Sequence, residues 1–144
     1  MPGPSDRIAP VLVAAVAAFV IGFLWYSPVL FGNLWIQAHG YTAEDLAAMQ
    51  QTMGPTYGAS FVAQVVMAVA LSILIRRTGA RGAVAGAGLG FLIWLGFVAT
   101  TGLTGNLFSK APLLQFEIDA GYQAVYLLAM GAILGAWRPG EAKA

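Results

Sequence analysis

A carboxylate, an amide and two phenols recur near the C-terminal end of the chain, at Asp119, Tyr122, Gln123 and Tyr126. Their spacing of i, i+3, i+4 and i+7 places all four on one face of a helix. Such a face can hold a polar or cationic ligand: the carboxylate meets a charge, while the amide and phenols meet donors and acceptors. Further polar side chains lie inside otherwise apolar sequence. Trp25, Tyr26 and Ser27 form one group, and Tyr57, Ser60 and Gln64 a second. Thr100, Thr101 and Thr104 form a third, with Asn106 just beyond.

Catalytic chemistry finds no comparable support. There is no nucleophile–base pair, no H-E-x-x-H, no G-x-S-x-G and no P-loop. With no cysteine in the chain, thiolate nucleophiles, disulfides and Cys-ligated metals are excluded. The single histidine, His39, cannot build a multi-histidine metal site and reads as a solvated loop residue. Gly86-Ala87-Gly88-Leu89-Gly90 lacks the G-x-G-x-x-G spacing and has no preceding strand, so it is a packing element rather than a nucleotide loop. The expectation is a protein that is not an enzyme, with no catalytic residue, metal or cofactor.

The elements that carry these residues are apolar. Apolar side chains make up 59% of the 144 residues and charged ones 9%, where soluble proteins carry about 25% charged. A net charge of +1 does not point to nucleic acid as a partner. Four charge-free stretches, residues 8–31, 57–75, 82–103 and 120–137, are each close to the roughly 20 residues that cross a bilayer core. Backbone groups must be satisfied internally in lipid, so the stretches are predicted to be helices. The fold expected is one all-α domain over residues 1–144, a four-helix transmembrane bundle. The small-residue sequence Ala15-Val16-Ala17 resembles a cleavage site, but the apolar run continues past it through Trp25, as in an uncleaved anchor. Pro28 should bend or end the first helix, because proline lacks a backbone donor.

Orientation follows from the placement of lysine and arginine. Arg7, Arg76, Arg77, Arg81, Arg138 and Lys143 fall on one side of a four-span layout, and only Lys110 on the other. The arginine side is therefore read as cytoplasmic, with both termini there, in a bacterial inner membrane. The first outer loop holds Thr42-Ala43-Glu44-Asp45, a helix start with an N-cap and acids in the first turn. Leu46, Met49 and Met53 then mark a short amphipathic helix, ended by Gly54-Pro55. It lies on the membrane surface or on the outer end of the bundle.

Small residues at spacings of four let membrane helices approach closely. Gly82, Gly86 and Gly90 form such a ridge, as do Gly131 and Gly135, and Ala14, Ala18 and Gly22. Whether a ridge serves this chain or a second copy is open at this level. A faint repeat pairs Gly32-Asn33-Leu34-Trp35 with Gly105-Asn106-Leu107-Phe108, as a parallel duplication of two hairpins would.

Helix rise gives depth. Gln64 lies about 16 Å from the inner boundary at Ile75, near mid-bilayer, so its amide needs a partner. Asp119 lies about 27 Å from Trp137, at the outer interface. Two readings fit the polar residues. One is an outward-facing vestibule in which Asp119, Gln123, Tyr126, Gln64, Tyr26 and the threonines bind a polar or cationic ligand. The other is an aromatic belt of Trp25, Tyr26, Tyr57 and Tyr122 with interhelical hydrogen bonds, which asks less of the sequence.

The run Leu24-Trp25-Tyr26-Ser27-Pro28-Val29-Leu30-Phe31-Gly32, with Trp35 and the helix start at Thr42, resembles the bacterial membrane family known as domain of unknown function 1761. The resemblance implies a small polytopic membrane protein and transfers no activity and no site residues. Beside the lipid bilayer, the expected partner is a second copy or another membrane protein. The leading functional expectation is a self-associating bundle or a small subunit of a membrane assembly. The alternative is a small transporter or ligand-binding protein using the outer vestibule.

Overall fold

The computed structural model describes residues 4–137, so Arg138 and Lys143 of the charge pattern lie outside the described residues. The described chain is all-α, with no strand. In order the helices are α1 Pro4–Trp25, α2 Gly32–His39, α3 Ala43–Gln50, α4 Met53–Thr78, α5 Gly82–Ser109 and α6 Leu113–Ala136. Within α5, Trp94–Ala99 form a π-helical segment. Four helices are long and apolar enough to cross a membrane: α1 from Arg7 onward, α4, α5 and α6.

Helix ends depart from the charge-free stretches for local reasons. The stretch 8–31 is not one helix, because α1 stops at Trp25 and a tight turn follows. Pro28 has no N–H to continue the ladder, and Ser27 Oγ caps the Leu24 carbonyl at 2.7 Å. Gly32 then opens α2 so close to the turn that a Cβ there would lie 2.8 Å from the Ser27 carbonyl carbon. The last helix begins after Pro112, earlier than residue 120, and carries Glu117 and Asp119 inside it. Gly54 and Pro55 open α4 rather than closing α3. Proline fits there because first-turn N–H groups have no intrahelical partner. The Leu46–Met49–Met53 stripe is accordingly divided between two helices. Thr42 does cap α3, in a capping box with Asp45. The two repeat segments differ in structure: Gly32 starts a helix after a turn, while Gly105 lies inside α5.

Helix α6 is the centre of the packing. Of its apolar window 44% is buried, against 28% in α1, 22% in α4 and 17% in α5. Met130, in the second half of the helix, is fully enclosed by a core that includes Ala14, Ala18, Ala68, Leu71 and Ile75. The glycine ridges of α5 and α6 face each other. Gly86 meets the carbonyl of Gly131, Gly90 meets that of Leu127, and Gly135 meets that of Gly82. Partner numbers fall on α6 as they rise on α5, so the pair is antiparallel. On the other side α1 also runs antiparallel to α6, with Ala18 and Gly22 against Tyr122 and Trp25 against Gly121. By contrast α4 and α5 barely touch, and α3 makes at most slight contact with the rest. Large apolar side chains such as Val20, Val62, Val66, Val84, Leu92 and Phe97 face outward, as lipid-facing positions do.

Candidate polar site along the central helix

Three pairs of polar groups descend along α6. Outermost, the Tyr26 hydroxyl donates to Asp119 Oδ1 at 2.6 Å. Asp119 is half-buried and six residues, about 9 Å, inside the helix end at Leu113. One turn deeper, Gln64 Nε2 of α4 donates to the Tyr122 hydroxyl at 3.2 Å, and that hydroxyl donates to the Ala18 carbonyl of α1 at 3.0 Å. Tyr122 thus joins three helices. Another turn down, the Tyr126 hydroxyl donates to Met67 Sδ at 3.4 Å. The rings connect the levels, with Tyr26 and Tyr122 centroids 5.4 Å apart and Tyr122 and Tyr126 centroids 4.8 Å apart.

The structure therefore brings Asp119, Tyr26, Gln64 and Tyr126 into one seam centred on Tyr122. Gln123 is half-buried on the same helix. The threonines do not join. Thr100 donates to the Gly96 carbonyl and Thr104 to the Thr100 carbonyl, each within its own exposed helix. Thr101 is exposed, and Asn106 bonds the Pro112 carbonyl. Tyr57 packs on Phe19 and Phe23 at the α1–α4 contact. His39 is not a free loop residue. It ends α2, stacks on Tyr41 at 5.0 Å, and its Nδ1 lies 2.8 Å from the Trp35 carbonyl.

Two tryptophans hold Asp119 in register. Trp25 of α1 donates its indole N–H to the Ile118 carbonyl at 3.0 Å, and Trp94 of α5 donates to Ala120 at 2.8 Å. These carbonyls flank Asp119 from opposite neighbours and set the rotation of α6. Trp94 opens the π-helical segment, a distortion that often accompanies functional sites. Gln115 Nε2 ties the outer turn of α6 to the Ala38 carbonyl of α2 at 2.8 Å, and Trp35 of α2 packs edge-on against Tyr26. The sequence reading did not place Trp94 or Met67 at the site, and marked Trp35 only as part of the family motif and the faint repeat. A buried tryptophan's need for an N–H acceptor was the available signal for Trp94.

Two polar features of the seam remain incomplete. Among the described residues Asp119 has no ion-pair partner, its one side-chain contact being the neutral O–H of Tyr26. Gln64 is buried and its Oε1 has no hydrogen-bond partner there. No group of three or more His, Asp or Glu side chains is gathered for a metal among those residues.

The chain matches the family model described as "Protein of unknown function (DUF1761)" over residues 9–135. No curated protein and no solved structure matches it.

Proposed function

We propose a function for this chain, which belongs to the DUF1761 family of unknown function, from the geometry of its own polar seam. It is a non-enzymatic protein of the bacterial inner membrane, with both termini cytoplasmic, that binds a small cation at Asp119 from the outer side. The observation that carries this reading is the state of Asp119. The carboxylate is half-buried, lies nearly two turns inside an apolar helix, and among the described residues meets a neutral hydroxyl and no cationic side chain. Acids within membrane helices are costly and mark ion or substrate sites by default. Tyr26 and Tyr122 add aromatic surface beside it, which favours organic cations. The orientation is supported by Arg7, Arg76, Arg77 and Arg81 at one end of the spans and Lys110 at the other.

The direct test is equilibrium binding of small organic ammonium ions to the purified protein in nanodiscs. Asp119→Asn keeps size and hydrogen bonding but removes the charge, so it should abolish binding and leave the helices folded. Equal binding by the variant would overturn the proposal.

A second reading is a self-associating bundle or a small subunit of an assembly. The glycines that motivated it meet each other inside one chain, so it now draws on a different observation. Only 17% of the apolar window of α5 is buried, which leaves most of that helix for lipid or a partner. Native mass spectrometry from membranes would decide by stoichiometry.

A further inference from the structure

Helix α4 carries an exposed apolar strip that ends at two arginines. Val62, Val66, Val69 and Ile73 follow one another at spacings of four, three and four, so they share one side of the helix. These four are 42–62% exposed, while Ala68, Leu71 and Ile75 are buried in the core. Arg76 and Arg77 lie three and four residues beyond Ile73, so both border the end of the strip. Both are exposed, and neither meets a carboxylate among the described residues. The acids of α6 are far away. Gln64 is level with Tyr122, next to the Asp119 turn, and Arg76 lies twelve residues, about 18 Å, further along α4.

Arg76 is also folded back on its helix. Its Nε donates to the Ser72 carbonyl at 3.2 Å and its Nη2 to the Ser72 hydroxyl at 3.0 Å. Ser72 is one turn, about 6 Å, nearer the bilayer middle, so the guanidinium is drawn toward the strip rather than out into water. Its Nη1 has no partner among the described residues.

One class of neighbour matches both parts of this surface. An acyl chain covers the β-branched strip, and a phosphate on the same molecule meets two guanidinium groups, whose forked donors suit its oxygens. A second copy inserted the same way would bring its own Arg76 and Arg77 to this level, setting like charges together. A zwitterionic headgroup would bring an ammonium beside the second arginine, with the same penalty. We propose that this face of α4 binds one acidic phospholipid, its acyl chain along residues 62–73 and its phosphate held by Arg76 and Arg77. The site lies at the end of the bundle opposite Asp119 and is independent of the cation reading.

The test is native mass spectrometry of delipidated protein, titrated in detergent with dioleoylphosphatidylglycerol or dioleoylphosphatidylcholine. Wild type should retain one phosphatidylglycerol in preference to phosphatidylcholine. Arg76→Gln and Arg77→Gln should each weaken that binding roughly fivefold. Lys110→Gln, at the other end of the spans, should leave it unchanged. Arg76→Lys combined with Arg77→Lys keeps the charge and should keep the preference, which separates lost charge from misfolding, and thermal melts confirm folded protein. Equal retention of the two lipids, or a preference that survives the double glutamine variant, would overturn the site. Displacement of the lipid by glycerophosphoglycerol, which has no chain, would reduce it to a phosphate site and overturn the role of the strip. A dimer that forms only when the lipid is absent from this face would assign the strip to a second copy instead.

Discussion

Tyr26 and Asp119, separated by 93 positions in the chain, are joined by a 2.6 Å hydrogen bond in which the phenol donates to the carboxylate. The bond ties the turn after α1 to the second turn of α6 and is the only side-chain partner of Asp119 among the described residues. Tyr26→Phe should therefore loosen the outer end of that helix pair. Interhelical hydrogen bonds in membranes average about 0.6 kcal/mol and reach about 1.7, so a loss in that range is expected. Unfolding in mixed micelles measures it. Cation binding should fall less than in Asp119→Asn, since the charge remains; an equal fall would assign binding to the phenol.

Gln64→Leu should be neutral or stabilising. The change removes one long hydrogen bond to Tyr122, worth about 0.6 kcal/mol on the membrane average. It also removes an unsatisfied buried carbonyl, whose desolvation costs about 1–3 kcal/mol. The second effect is the larger. A drop in thermal stability would mean that the carbonyl has a partner in the folded protein.

Gly86→Ala should be severe where Gly88→Ala is harmless. A Cβ at Gly86 would meet the Gly131 carbonyl and lie 3.0 Å from the Gly135 Cα, both backbone, so the helices must separate. At Gly88 the same Cβ faces open space. Overpacking of this kind costs about 1–3 kcal/mol, and isoleucine at Gly86 or Gly90 should cost more. Melting temperatures of the two alanine variants that coincide would contradict the close α5–α6 contact.

The N-cap of α3 should weaken in acid. Asp45 accepts from the Thr42 backbone N–H and from its hydroxyl, each at 2.8 Å. The backbone bond first, and then the hydroxyl, hold its carboxyl below the usual carboxylate value. A group whose value is lowered on folding contributes fully above its unfolded value, about 3.9, and loses that contribution as pH falls through the folded one. Helical chemical shifts over α3 should thus persist at neutral pH and decay in strong acid. Thr42→Ala should lower them throughout and flatten the titration.

Reporter fusions check the orientation. A reporter active only outside the cytoplasm should work at Gly40 or Lys110 and fail at Gly79, between α4 and α5. The opposite pattern would invert the protein and place Asp119 on the cytoplasmic side.

Much of the architecture was legible in one dimension because lipid makes a simple demand. Each span must be apolar, about 20 residues long and internally hydrogen-bonded, so four charge-free stretches already imply four helices. The cap at Thr42 was equally readable, since its partner Asp45 is three residues away. Helix ends were less so. A charge-free stretch does not mark where the ladder stops, and α6 begins at Leu113, after Pro112, and carries Glu117 and Asp119 inside it.

Pairing belonged to the tertiary structure alone. The spacing of Gly86, Gly90, Gly131 and Gly135 announced close contacts but not with whom, and only packing shows that Gly86 meets Gly131 and Gly135 while Gly90 meets the Leu127 backbone. The face bearing Asp119, Tyr122 and Tyr126 was visible as a period, yet its partners lie on other helices, at Tyr26, Ala18, Gln64 and Met67. Periodicity reports which residues of one helix share a side. It carries no information about the rotation of a neighbouring helix, and in this protein the indole bonds of Trp25 and Trp94 to α6 decide that rotation.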